Sequence, residues 1–243
     1  MDIKIPYTPR KHQAFLHNKI SKHRWSVLVC HRRFGKTVCM INHLIRSALL
    51  SKNKNPRYAY ISPTFKQSKS IAWDYMKQFT AKIPYTKFNE TELRVDLPNG
   101  ARITLLGSEN SDGLRGIYLD GCVIDEYANV NDKLFPEIIR PALSDRKGYC
   151  VFIGTPQGMN NNFYELYQHA QGADDWFNYK AKASETKIVD NEELVKAKEV
   201  MGEKKYLQEF ECDWIANIEG SIYNDTLVKL EDQKQLTRVP YDP

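Results

Sequence analysis

Apolar residues along the chain fall into short unbroken runs, separated by stretches in which they recur every three or four positions. "WSVLVC" (25–30) is a β-branched run of the first kind, and residues 36–50 follow with Val38, Ile41, Leu44, Ile45 and Leu49 at helical spacing. "RYAYIS" (57–62) predicts a second strand, leading through Pro63 to a helix over 66–81 with Ile71, Tyr75, Met76 and Phe79 on its apolar side. "ELRVDL" and "ARITLLG" are joined across "PNG" (98–100), a hairpin turn that either ornaments the sheet or ends inside it. "GCVIDE" (121–126) and "GYCVFIGTP" (148–156) read as buried strands with a helical segment around 131–145 between them, and "WFNYKAKA" (176–183) as a last strand. Strands alternating with helices predict an α/β fold, a mostly parallel sheet sandwiched by helices. Residues 191–212 are helical in pattern, charged and poor in aliphatics, which suggests a small subdomain, while 220–243 has no clear period and reads as a linker or an edge strand.

Composition narrows this little. A chain of 243 residues, 42% hydrophobic and 27% charged, is ordinary for a globular protein with one main domain and a small appendage. No apolar run approaches the roughly 18 residues of a membrane span, and "MDIKIPYTPRKHQ" lacks the apolar core of a signal peptide, so a cytoplasmic protein is expected. Cys30, Cys39, Cys122, Cys150 and Cys212 show no C-x-x-C spacing and sit mostly in apolar runs, as reduced core thiols would. Charge is more informative. Residues 1–60 hold 13 Lys and Arg against one acid, and the remainder 22 against 29, so a net of +12 is offset by −7. Such a basic block suits nucleotide and nucleic acid, or is simply a solvated face.

"CHRRFGKT" (30–37) carries the second half of a phosphate-binding loop, with Cys30 where the first glycine of G-x-x-x-x-G-K-[ST] would stand. Gly35 would let the backbone approach a phosphate, Lys36 would reach the β- and γ-phosphates, and the Thr37 hydroxyl would hold Mg²⁺. The strand, loop and helix around it are the context the motif requires. Asp125, at the end of "CVIDE", would hold the metal's hydration shell, and Glu126 would polarise an attacking water; alternatively the two acids favour a helix N-terminus. The Gln13 amide offers a donor and an acceptor that match the adenine edge, or is a surface glutamine. Arg32 and Arg33 in the loop and Arg115 in "DGLRG" could meet charge on a transferred phosphoryl group, although an ion pair at the surface serves Arg115 equally well. In "FIGTPQG", Thr155 would lie near the γ-phosphate and report hydrolysis.

Taken in order, Gln13, "CHRRFGKT", "ISPTFKQSK", "GLRGIYLDGCVIDE", "GTPQG" and "QEFECDWIANIEGSIY" resemble the ATPase half of the large terminase subunit of tailed bacteriophages, over about residues 5–223. The resemblance implies a P-loop NTPase of the additional-strand, catalytic-glutamate, RecA-like type, with ATP and Mg²⁺ as cofactors. It makes Cys30 a tolerated variant and the segment Arg32, Arg33, Phe34, Gly35, Lys36 and Thr37 the nucleotide loop, with Arg32 its cis arginine. Thr37 and Asp125 become metal ligands, Glu126 the catalytic glutamate, and Gly154, Thr155 and Pro156 the coupling motif. Arg115 matches a position that acts on a neighbouring subunit. A sheet with loop strand and acidic strand side by side is expected, with a core over 1–184, a lid over 185–219, and a linker over 220–243 toward a nuclease domain absent from this chain. Nuclease activity is accordingly not expected of these residues. Implied partners are double-stranded DNA, a portal protein, a small terminase subunit and further copies in a ring, pentameric by resemblance, in the cytoplasm of a bacterial host and with no membrane. The rivals are a helicase-like nucleic-acid-dependent ATPase and a non-hydrolysing nucleotide switch; Glu126 speaks against the second.

Overall fold

A computed structural model describes residues 5–109 and 114–215. The expected linker over 220–243, the last residues of the expected lid and part of "DGLRG" lie outside the described residues. Among the described residues the strands are β1 (Trp25–Cys30), β2 (Arg57–Ser62), β3 (Lys87–Asn89), β4 (Arg94–Asp96), β5 (Arg102–Gly107), β6 (Gly121–Asp125), β7 (Tyr149–Gly154) and β8 (Trp176–Ala181). They form one sheet in the order β3-β4-β5-β2-β6-β7-β1-β8. β5, β2, β6, β7, β1 and β8 pair in parallel, and the antiparallel pairings are those of β4 with β3 and with β5.

One expectation fails in an informative way. Loop strand β1 and acidic strand β6 are not side by side: β7, which ends in the Gly-Thr-Pro segment, pairs with both. Register puts Val29 opposite Gly154 and Asp125 opposite Ile153, so all three strands finish at one edge of the sheet. The strand order of a parallel sheet is set by crossovers that span dozens of residues, and local periodicity carries no record of it.

β1, β6 and β7 are mostly apolar and buried along almost their whole length because both faces of the sheet are covered. On one face lie α1 (Lys11–Ile20), α2 (Lys36–Leu50) and α3 (Trp73–Thr80), packed through Leu16, Ile41, Leu44 and Met76. The other face is filled by residues on either side of β6, from Leu114 to Leu119 and from Tyr127 to Leu143, by α4 (Asn162–Gln171) and by the returning Trp214. The helix expected over 66–81 is present but enters through a wide π turn at Ser68–Ala72, pinned where the buried Ser68 hydroxyl donates to the Leu106 carbonyl at 2.8 Å. The helix expected around 131–145 is reduced to a π turn, Leu134–Ile139, and a short Arg140–Ala142. Pro136 and Pro141 each remove an amide donor from this segment, which prevents a regular helix.

The hairpin across residues 98–100 forms, and its second strand, β5, lies inside the sheet against β2. Beyond β8, α5 (Asn191–Met201) and α6 (Glu203–Glu211) make a helical hairpin around Ala183, Leu194 and Phe210. All five cysteines are buried and unpaired. Among the described residues no helix is long and apolar enough to cross a membrane.

Candidate active site

The edge where β1, β6 and β7 end opens into a cavity of about 720 Å³ lined by the loop residues Arg32 to Val38, by Glu126, Thr155 and Gln157, and by Arg10, Ile71, Tyr75 and Glu209. α2 begins straight from the loop at Gly35, which adopts φ +85° and ψ +35°. That left-handed geometry is easy only for glycine, and it turns the first amides of α2 toward the cavity. A Cβ on Gly35 would also lie 3.0 Å from Gln13 Nε2. Cys30, in the place of the first glycine, is simply the last residue of β1; its thiol is buried and its carbonyl accepts from Lys36 Nζ at 3.4 Å.

Lys36 links the parts of the site. Its Nζ donates to Thr155 Oγ1 at 3.0 Å and lies 3.7 Å from Glu126 Oε1. Gly154 lets β7 come this close to β6: a Cβ there would meet Phe163 Cε1 at 3.3 Å, and Glu126 Cα and Tyr127 N at 3.4 Å. Glu126 has φ +47° and ψ +49°, a backbone state that costs a non-glycine residue about 1–3 kcal/mol and so has to be held by its surroundings. They are the Asp125 Oδ1 that accepts from Glu126 N at 3.0 Å and the Tyr127 ring seated on Phe152. The bend sends the half-exposed Glu126 carboxylate into the cavity while Asp125 stays buried.

Asp125 accepts a short hydrogen bond from Tyr60 Oη, and the Thr37 hydroxyl also reaches Tyr60. Burial, and after it the Glu126 charge, push the Asp125 carboxyl up to about 6, against the pull of Tyr60 and Lys36. Thr37 and Asp125 therefore meet around one tyrosine as a set of hard oxygen donors. A divalent cation that prefers oxygen fits that chemistry, and it would stabilise a buried carboxylate that, among the described residues, has no cation within ion-pair distance. Among the same residues no group of three or more His, Cys, Asp or Glu forms a metal cage. Such a cation would have to draw further ligands from phosphate and water.

Gln13 is buried behind the loop. Its Nε2 donates to the Gly35 carbonyl at 3.3 Å and its Oε1 accepts from Arg10 N at 3.0 Å. Both ends of the amide thus hold protein groups. Arg32 and Arg33 line the cavity, Arg32 Nη1 standing 3.7 Å from Glu209 Oε2. Arg115 does not line the cavity; it is exposed on the segment before β6, with Nη2 3.7 Å from Glu137 Oε2.

Several contributors were given no role by the sequence, although Gln208 and Glu209 open the "QEFECDW" segment that helps carry the resemblance. Tyr60 is an inward residue of an ordinary strand. Gln208 and Glu209 on α6 close the site from the other side: Gln208 Nε2 donates to the Pro156 carbonyl at 2.6 Å, and the Glu209 carbonyl accepts from Arg32 N at 2.8 Å. His31 anchors the loop below, with Nε2 and Thr186 Oγ1 2.8 Å apart. Each of these contacts joins residues far apart in the chain.

A parallel sheet with a phosphate loop on one strand, an acid pair on another, and a polar strand end between them is a phosphate-loop NTPase fold of the additional-strand type. Residues 29–229 match the family described as terminase large subunit, T4likevirus-type, N-terminal, and the chain belongs to it. A terminase large subunit of Thermus phage G20c is 40% identical over 60 residues, 25% of this chain and 12% of that one. The large terminase ATPase domain of Thermus phage P74-26 superposes with a TM-score of 0.73 at 20% identity, covering 87% of this chain and 96% of that domain. The ADP complex of a large terminase from a thermophilic bacteriophage gives 0.72 at 14% identity, over 84% of this chain and 53% of that one. The chain thus spans about half the length of that ADP-bound terminase.

Proposed function

We propose that this chain is the ATP-hydrolysing motor part of a large terminase, driving double-stranded DNA into a procapsid. The observation that carries the reading is the convergence of three strand ends on Lys36, which reaches both Thr155 and Glu126. Family membership and the ADP-bound relative from the thermophilic bacteriophage add support.

In this reading the triphosphate lies along residues 32–37, its phosphates against the first amides of α2, where backbone N–H groups and the helix dipole favour anions. Lys36, relieved of Glu126, pairs with the β- and γ-phosphate oxygens. The base end of the nucleotide runs toward Arg10, Gln13 and the wall made by Ile71 and Tyr75. Gln13 selects adenine by turning its amide, or else supports the loop through Gly35. Thr37 and Asp125 would hold Mg²⁺, which supplies charge neutralisation across the phosphates. Glu126 accepts a proton from water as the water oxygen bonds to the γ-phosphorus; the bond from that phosphorus to the bridging oxygen breaks, and its electron pair leaves on ADP. Arg32 stabilises the charge on the transferred group in cis, and Arg115, on an exposed segment, serves a neighbouring copy.

Loss of the γ-phosphate would be felt by Thr155 through Lys36 and passed on through Pro156. The helical hairpin of α5 and α6 then acts as the lid, within boundaries of about 185–219, attached to a core over 1–184. DNA, portal protein, small terminase subunit and a ring of copies in the host cytoplasm are the partners of this reading. The test is phosphate release from ATP by the full chain with and without Mg²⁺, for wild type and Lys36→Ala. Turnover that needs both Mg²⁺ and Lys36 supports it; equal rates for the two proteins contradict it.

A further inference from the structure

The parallel strands end at the nucleotide cavity, so their beginnings lie at the opposite edge of the sheet, about 20 Å away for strands of this length. That far edge is basic. A cleft of about 470 Å³ is lined there by Lys22, His23, Arg24, Arg46 and Lys147, with the buried Asp120 at its floor. Arg146 and Arg57 continue the strip, both over the Tyr118 ring at 4.4 and 5.9 Å, and Arg102 opens β5 beyond them. Across β1, β7, β6, β2 and β5 the strip spans four strand spacings, roughly 20 Å.

These cations are held mainly by neutral groups. Arg24 donates to the Gly148 and Leu143 carbonyls at 3.1 and 3.2 Å, Arg57 to the Pro56 and Gly100 carbonyls at 3.1 and 3.0 Å, and Arg46 to Ser21 Oγ at 3.1 Å. Among the described residues, the carboxylate partners in the strip are Asp120, 3.7 Å from Arg146, and Asp96, 2.6 Å from Arg102. Asp120 is already engaged by Asn53 Nδ2 and Arg57 N. Among the same residues exposed Asp145 makes no ion pair, and Asp175 acts on Arg24 without reaching ion-pair distance. Arg24 and Arg140 even crowd onto one ring, both 4.6 Å from the Trp25 centroid. Like charges fixed side by side, with few acids among them, are stabilised by an anion from outside.

We propose that this far edge is a surface for the phosphate backbone of double-stranded nucleic acid, centred on Lys22, Arg46 and Lys147. The cations form a strip rather than converging on one point, so a single phosphate would satisfy few of them, whereas a duplex presents charge along its whole length. The Trp25 and Tyr118 rings are covered by guanidinium groups and offer no open platform for unstacked bases, which favours duplex over single strand. The inference rests on the DNA reading above and adds a location well removed from the nucleotide.

The experiment measures duplex DNA binding by the full chain, by fluorescence anisotropy across a salt series. Wild type is compared with a Lys22→Glu, Arg46→Glu, Lys147→Glu triple variant and with a control triple, Lys66→Glu, Lys82→Glu, Lys87→Glu, of equal charge change elsewhere. The far-edge triple is expected to bind at least about tenfold more weakly, with a salt slope shallower by about 2–3, while its ATP turnover without DNA and its melting temperature match wild type. The control triple is expected to keep wild-type binding. Equal losses in both triples, or unchanged binding in the far-edge triple, overturn the location. Wild-type protein that ignores duplex DNA, or that binds an acidic polypeptide in its place, overturns the ligand class and the DNA reading together, and leaves the ATPase reading to its own test.

Discussion

Gln208 on α6 donates to the carbonyl of Pro156 at 2.6 Å, so the helical hairpin is tied directly to the segment that follows Thr155. Both groups are buried, and removal of the amide leaves a carbonyl with no replacement donor. Gln208→Ala should lower stability by about 1–3 kcal/mol and speed amide exchange across residues 191–211 more than in β6 or β7. Exchange unchanged in the hairpin would mean that the contact does not hold it.

Gly154→Ala should damage the site from behind. The new methyl would press on Phe163 and on the backbone of Glu126 and Tyr127, at 3.3–3.4 Å. An overpacking cost of about 1–3 kcal/mol is expected, together with a fall in kcat larger than the rise in KM, because Glu126 moves and the loop does not. A variant with wild-type kcat and only reduced stability would show that Glu126 keeps its place without Gly154.

Much of this region can be read from sequence, and the boundary of what cannot is physical. β1, α2 and β2 form over the residues their patterns mark out; Lys36 and Thr37 open α2, and Asp125 and Glu126 stand at the end of β6, because loop and acid motifs are local. α1 has a sparse apolar face, and one of its buried positions is the polar Gln13, so its period is weak. α4 is announced chiefly by the Asn161 side chain, which accepts from Phe163 N and Tyr164 N. Tyr60, Gln208 and Glu209 reach the site across long stretches of chain, and β7 separates β1 from β6 through topology alone. No local pattern encodes either fact.

The histidine pair between α1 and α2 predicts an acid-labile fold. His17 and His43 stack with Nδ1 atoms 3.1 Å apart, and burial holds their pKa values at about 4 and about 3, below the ordinary 6.5. Both are neutral in the folded protein and protonate first in the unfolded chain, so stability is full above pH 6.5 and falls as pH drops below it. Between about pH 6.5 and 5 the unfolding free energy should decline by up to about 1.4 kcal/mol per pH unit for each histidine, read from denaturant titrations, and His43→Leu should make the decline shallower. An identical slope in the variant would contradict this.

Arg115 lies outside the cavity of its own chain and beside Glu137. If it completes the site of a neighbour, ATP turnover per molecule should climb with protein concentration, and Arg115→Ala should stay flat at a rate lower by about 10³ or more at saturation. A wild-type rate per molecule that is the same at every dilution would rule out a contribution in trans.

Glu126, bent into the cavity 3.7 Å from Lys36, is proposed as the base that activates the water cleaving ATP. The most direct measurement is single-turnover hydrolysis alongside equilibrium ATP binding for wild type and Glu126→Gln, which keeps the size of the side chain and removes the base. The expected result is ATP affinity within a fewfold of wild type and a cleavage rate lower by about 10²–10⁴. Cleavage at the wild-type rate by Glu126→Gln would contradict it and move the catalytic base elsewhere.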